Sequence, residues 1–160
     1  MQAKRLVSLA PSITEILYAL GLEQKIVGVT ELCDYPPEAK RKPKVGDYQI
    51  SPEKVVALKP DLVIAHEVLN SRVIPVLRRL GLRVLSATPS EFTKLYAFMR
   101  DIGKATGSER MAERIIRSMQ ARVERIRRNP PRQKPRTLFL ISVEPIWASG
   151  RDTLAHEMIT

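Results

Sequence analysis

Apolar and polar positions along this chain fall into short alternating blocks. Residues 4–9 end in an apolar run closed by "APS", the pattern of a short strand. "ITEILYAL" (13–20) is apolar at helical spacing, with Ser12 and Glu15 placed as a capping box and Gly21 where a helix-ending glycine belongs. "KIVGVT" (25–30) predicts a second strand. After a polar, proline-bearing interruption, Ser51 as N-cap and Pro52 at the first helical position open "EKVVALKP" (53–60), which Pro60 stops. "DLVIAH" (61–66) is a near-continuous apolar run, as in a parallel strand covered on both faces.

The pattern then repeats. "SRVIPVLRRLG" (71–81) predicts a helix bent at Pro75, "LRVLSA" (82–87) a fourth strand, and "TPSE" (88–91) a capping box opening a helix through residue 107. Residues 108–129 predict one long helix with Met111, Ile115, Ile116, Met119, Val123 and Ile126 as its buried stripe. "PPRQKP" (130–135) breaks it, and "RTLFLISV" (136–143) predicts a fifth strand with no later strand to pair with it. Strands alternating with helices imply an α/β fold with an open, mostly parallel sheet, and in such sheets ligands gather outside the carboxyl ends of the strands.

Composition narrows the function. The chain is 44% hydrophobic and has no apolar run long enough to span a bilayer. It holds one cysteine, Cys33, which excludes an internal disulfide and reads as a packed thiol. His66 and His156 lie far apart, so a zinc cage made by the protein alone is not expected. His156, near the end, reads as solvent-exposed. There is no nucleophile elbow, P-loop or GxGxxG, so no enzyme activity is expected.

The net charge of +10 invites a nucleic-acid reading. The basic residues concentrate in 110–136, where they alternate with the apolar stripe, and aromatics make up only 5% of the chain. That pattern reads as a solvated helix face, and nucleic acid is not an expected partner. The first residues show no export-signal pattern, which makes the chain cytoplasmic as written.

Four short runs, "RLVSLAPSITEILYALGL", "CDYPPEA", "SPEKVVALKPDLVIA" and "EPIWASG", occur in an order and spacing that resembles the substrate-binding proteins of ABC importers for vitamin B12, haem and iron-siderophores. The "DYPP" turn leans towards the cobalamin-binding branch. The resemblance implies two α/β lobes joined by one long backbone helix. Residues 1–105 would form the first lobe, 106–131 the linking helix, and 132–160 the beginning of an incomplete second lobe. It also implies a periplasmic or cell-surface setting and an ABC transporter permease as partner.

The resemblance further implies a corrinoid ligand held in a cleft, with a haem or iron-siderophore chelate as the rival and Arg72 serving an anionic one. Tyr48 would pack its ring on the macrocycle, and His66, at the end of its strand, would stack or serve as an axial metal ligand. The loop of Leu32, Asp34 and Tyr35 would shape the cleft wall. Asp34 could cap the "PPEAKR" turn, and Leu32 replaces an aromatic that family members often carry. Trp147 matches a ligand-facing aromatic of the second lobe. Glu53 matches a glutamate that docks on permease arginines. No bound cofactor is implied. A rival from another class is an interaction module that self-associates through the unpaired strand at 137–143.

Overall fold

A computed structural model describes residues 2–130, 133 and 135–160. The elements run β1 (Leu6–Ser8), α1 (Pro11–Ala19), β2 (Ile26–Gly28), α2 (Pro52–Ala57), β3 (Leu62–His66), α3 (Ile74–Arg79), β4 (Val84–Ala87), α4 (Phe92–Thr106), α5 (Glu109–Arg128), β5 (Leu140–Val143), β6 (Ile146–Ala148) and α6 (Leu154–Ile159), with short 3-10 turns at Glu23–Lys25 and Pro37–Arg41. β1 to β4 form one sheet in the order β2-β1-β3-β4, every neighbouring pair parallel, as the alternating pattern predicts.

The apolar run of β3 is fully buried because helices cover both sheet faces. Leu6, Leu62 and Ile64 enter one cluster with Ile13, Leu17, Phe98 and Ile102, from α1 and α4. Their alternates Val7, Val63 and Ala65 enter another with Val55, Ile74 and Leu77, from α2 and α3. Each fully buried Leu or Ile contributes roughly 1.5–3 kcal/mol relative to exposure. α5 packs against α4 through Ala112 and Ile116, both fully buried.

Several local expectations are corrected. Ala10 is the N-cap of α1 and Pro11 opens the helix, so Ser12 lies inside it and the 12–15 capping box does not form. Thr14 Oγ1 instead donates back to the Ala10 carbonyl and to Ser8 Oγ. Pro75 lies in the first turn of α3, where a missing N–H is harmless, so it starts the helix rather than bending it.

The 88–91 box is also absent. Glu91 is the N-cap of α4 without a side-chain cap, and the Phe92 amide donates to Glu157 Oε2 of α6. The buried stripe of α5 holds only in its first half. Ile116 is fully buried, whereas Ile126 is 67% exposed, because α4 ends its cover there. His156 is half-buried, not exposed: it lies in α6, whose first turn is capped by Thr153 Oγ1.

The expected lone strand does have a partner. β5 pairs antiparallel with β6 across a turn at Glu144 and Pro145, so "EPIWASG" returns as the second arm of a hairpin. The expected break at 130–135 includes Pro131, Arg132 and Lys134, which lie outside the described residues, as does Met1. Among the described residues, no helix is long and apolar enough to cross a membrane.

Candidate functional site

The sheet order reverses direction between β1 and β3: β2 lies on one side of β1, and β3 and β4 follow on the other. That is the switch point at which parallel sheets leave a crevice outside their carboxyl ends. Four segments leave those ends: the Ala10 corner after β1, residues 29–50 after β2, 67–73 after β3 and 88–91 after β4.

The loop after β2 answers why the chain interrupts itself. Val29 pairs with Lys44, the Val45 amide donates to the Val29 carbonyl, and the Glu31 amide donates to the Gly46 carbonyl. These contacts lay the return arm, which carries Tyr48, beside the outgoing arm, which carries Leu32, Asp34 and Tyr35. Lys44 ties the loop shut. Its Nζ donates to the carbonyls of Thr30, Cys33 and Ala39 at 3.3, 3.2 and 3.3 Å. Cys33 is buried, its sulfur 3.1 Å from both Thr14 Oγ1 and Thr30 Oγ1, a packed thiol as expected. Asp34 caps nothing: the N-cap of the 3-10 turn is Pro36, with no side-chain bond.

On this anchored loop the rings face outwards. Tyr48 is 82% exposed and Tyr35 64%, with Leu32 at 40%. Gly46, at φ +128°, makes the bend that turns Tyr48 out.

The loop after β3 adds residues that sequence reasoning missed. The His66 amide donates to Asn70 Oδ1 at 2.8 Å, the Glu67 amide to the Ala87 carbonyl, and the Val68 amide to Thr88 Oγ1. This bonded turn holds Val68 and Leu69 outwards, 66% and 65% exposed. Two adjacent apolar residues after the strand "LVIAH", rather than the turn-type residues usual there, were the available signal.

His66 is half-buried, and burial lowers its pKa while the neighbouring Glu67 partly opposes this. Its Nδ1 accepts from the Leu69 amide at 3.3 Å. The neutral ring therefore carries its proton on Nε2.

β2 and β3 flank β1, so the two loops spring from strands about 10 Å apart at the usual strand spacing. Tyr35, Tyr48, Leu32, His66, Val68 and Leu69 thus belong to loops at one edge of the sheet. Arg72 follows in the turn before α3, exposed. Trp147 stands apart on β6, 63% exposed.

Glu53 occupies the first turn of α2, and a helix leading into β3 starts at this same carboxyl edge. Ser51 Oγ accepts from the Lys54 amide at 3.2 Å and donates to Glu53 Oε2 at 2.7 Å. That donation lowers the Glu53 pKa and keeps an exposed carboxylate ionised.

Two open grooves lie elsewhere. One, of about 430 Å³, sits beside the amino end of β4, lined by Gln2, Arg83, Leu85 and Asp101 among others. The other, of about 570 Å³, runs along α5. The carboxyl edge itself offers exposed ring faces and apolar side chains. Among the described residues, no group of three or more His, Cys, Asp or Glu is placed to hold a metal ion.

The family model described as "Periplasmic binding protein" matches residues 6–159. An ABC transporter substrate-binding lipoprotein of Bacillus subtilis (strain 168), YvrC, itself uncharacterized, is 38% identical over 99% of this chain and 53% of its own length. The vitamin B12-binding protein of Yersinia pestis (strain Pestoides F) is 30% identical over 99% of this chain and 58% of its own length. The chain thus spans about half the length of the curated relatives it matches.

Among solved structures, the periplasmic vitamin B12 binding protein BtuF of Vibrio cholerae superposes at TM-score 0.81 and 32% identity, covering 90% of this chain and 58% of that one. The periplasmic heme-binding protein RhuT from Roseiflexus sp. RS-1 superposes at TM-score 0.80 and 28% identity, covering 98% and 63%.

Proposed function

The chain belongs to the periplasmic binding protein family, and on that footing we propose that it forms one wall of the ligand cleft in the substrate-binding component of an ABC importer, for a flat corrinoid-type ligand. The observation that carries this reading is the exposed pair Tyr35 and Tyr48 on a loop tied down by Lys44. An exposed aromatic on a braced loop matches a large planar partner. Each ring that loses ~100 Å² of apolar surface to such a ligand contributes roughly 2–3 kcal/mol before the cost of association. Val68 and Leu69 widen the apolar floor, and the vitamin B12-binding relatives support a corrinoid over a small polar solute.

The protein's work in this reading is binding, not bond chemistry. His66 presents a ring face and an Nε2–H donor. Axial ligation through Nε2 would first require moving that proton to Nδ1 and breaking the bond from the Leu69 amide. Trp147 would meet the ligand from the opposite side. Glu53, ionised and exposed at the same edge as the loops, would pair with arginines of the permease, since charge-assisted carboxylate pairs orient a partner and speed encounter. The setting would be periplasmic or lipid-anchored, as for the relatives.

Haem is the second reading. It is favoured by a neutral, half-buried His66 at the switch point and by the heme-binding relative.

Visible-absorbance titration with aquocobalamin, and in parallel with hemin, decides between them. A saturable shift with aquocobalamin, weakened at least about tenfold in Tyr48→Ala, is the expected result. A saturable shift with hemin alone, lost in His66→Ala, reassigns the ligand to haem. No shift with either, while circular dichroism reports an intact fold, overturns the macrocycle reading.

A further inference from the structure

One face of α5 is left unused by the cleft. Arg110, Arg114, Arg117, Ala121, Arg125 and Arg128 follow one another at spacings of three and four residues, so they form a single row along the helix. The row lies opposite Ala112 and Ile116, which pack on α4, and all five arginines are exposed. From Arg110 to Arg128 it extends about 27 Å at the α-helical rise.

Local structure does not account for this row. Like charges three and four residues apart destabilise a helix, and a cation in its first turn opposes the helix dipole. Arg110 incurs both penalties, and Arg114 and Arg117 the first. Nor do ion pairs within the chain hold them. Among the described residues, Arg128 pairs with Glu124 at 2.8 Å, whereas Arg110, Arg114, Arg117 and Arg125 have no acidic partner. Glu113, the acidic residue nearest in the row's first half, is bound to Arg100 at 2.6 Å and acts on Arg117 through space, without an ion pair. An open groove of about 570 Å³ runs beside Arg110, Arg114 and Arg117, with Met111, Glu109 and Glu113 also lining it, so the arginines outnumber its carboxylates three to two.

The geometry points to a docking surface for an anionic phospholipid membrane: the arginine row lies flat on the headgroups, with guanidinium groups taking lipid phosphates. Guanidinium matches phosphate in a two-point fork, and arginines near an anionic membrane surface attract additively within a Debye length. A straight row on one helix suits a plane of phosphates. α5 carries no aromatic side chain on which a nucleobase could stack, which favours lipid over nucleic acid.

Co-sedimentation of the chain with vesicles tests this. The expected result is binding to phosphatidylcholine vesicles containing phosphatidylglycerol, little binding to phosphatidylcholine alone, and weakening as salt rises. The triple variant Arg110→Gln/Arg114→Gln/Arg117→Gln should bind at least about tenfold more weakly while keeping its helical circular dichroism. The control Arg78→Gln/Arg79→Gln/Arg83→Gln removes the same charge from another exposed surface and should bind like the unaltered chain.

Equal losses in the two variants would overturn the proposal, because net charge alone would then explain binding. Equal binding to both vesicle types would overturn it as well. So would binding to a double-stranded DNA oligonucleotide without binding to anionic vesicles.

Discussion

Lys44 Nζ stands 3.2 Å from the backbone carbonyl oxygen of Cys33, and with the Thr30 and Ala39 carbonyls it uses all three ammonium protons. One side chain thus holds both arms of the loop that displays Tyr35 and Tyr48. Lys44→Met keeps the stem but strands the Cys33 carbonyl and takes one of two donors from the Thr30 and Ala39 carbonyls, which still accept from the Cys33 and Lys42 amides. It should lower stability by about 1–3 kcal/mol, read as a shift of the urea midpoint. Hydrogen exchange should quicken at the Cys33 amide, which bonds to the Thr30 carbonyl.

Ser51 serves α2 and Glu53 together. Ser51→Ala should cost about 1 kcal/mol as a lost N-cap. It should also raise the Glu53 pKa back towards the ordinary carboxylate value, because the hydroxyl donation that lowers it is gone. A carboxyl NMR titration of Glu53 in both proteins checks the second effect separately from the first.

Gly46 is positioned where a side chain does not fit. Its φ is +128°, and a Cβ there would run into the Gln49 carbonyl oxygen and come within 3.0 Å of Ile50 Cα. Gly46→Ala should cost at least about 1–3 kcal/mol and displace Tyr48, so both thermal midpoint and affinity for aquocobalamin should fall. Gly150→Ala, where a Cβ meets nothing, is the matched control.

Burial lowers the His66 pKa, so the unfolded chain takes up this proton before the folded one. The resulting stability is fully present above the unfolded value of about 6.5 and is lost as pH falls through the lower, folded value. Urea midpoints should therefore drop as pH falls below the ordinary histidine value of about 6.5, and less so in His66→Gln. Glu53, Glu91 and Glu113, whose values are also lowered, lose their contributions only further down, below the ordinary carboxylate value of 4.5.

Glu157 takes the place of a local cap on α4. It accepts from the Phe92 amide and, at 3.3 Å, from Arg127. Glu157→Ala should cost about 1 kcal/mol and speed hydrogen exchange at Phe92, while leaving the β1 to β4 amides unchanged.

Much of the fold was legible along the chain. The parallel sheet follows from β3, whose unbroken apolar run needs cover on both faces. Ser51 and Pro52 mark the start of α2 because cap and first-turn preferences are local. The family resemblance singles out Tyr48, Tyr35 and Glu53 as candidates, and all three are exposed on elements at the same edge.

What was missed depends on neighbours distant in sequence. The "TPSE" run has the composition of a cap, yet the α4 amide is satisfied by a glutamate 65 residues away. Ile126 keeps the helical period of its stripe but lies beyond the end of its partner helix. Lys44 reads as one more surface lysine until the chain folds back and brings three carbonyls to it.

By itself, the sequence determined the order of strands and helices, the interruption before Ser51 and the family, because periodicity, capping and proline act over a few residues. Only the tertiary structure decided the β2-β1-β3-β4 order, the switch point between β1 and β3, the Lys44 tie, the outward turn at Val68 and Leu69 and the pairing of β5 with β6. Those features arise from hydrogen bonds and burial between segments that meet only after collapse.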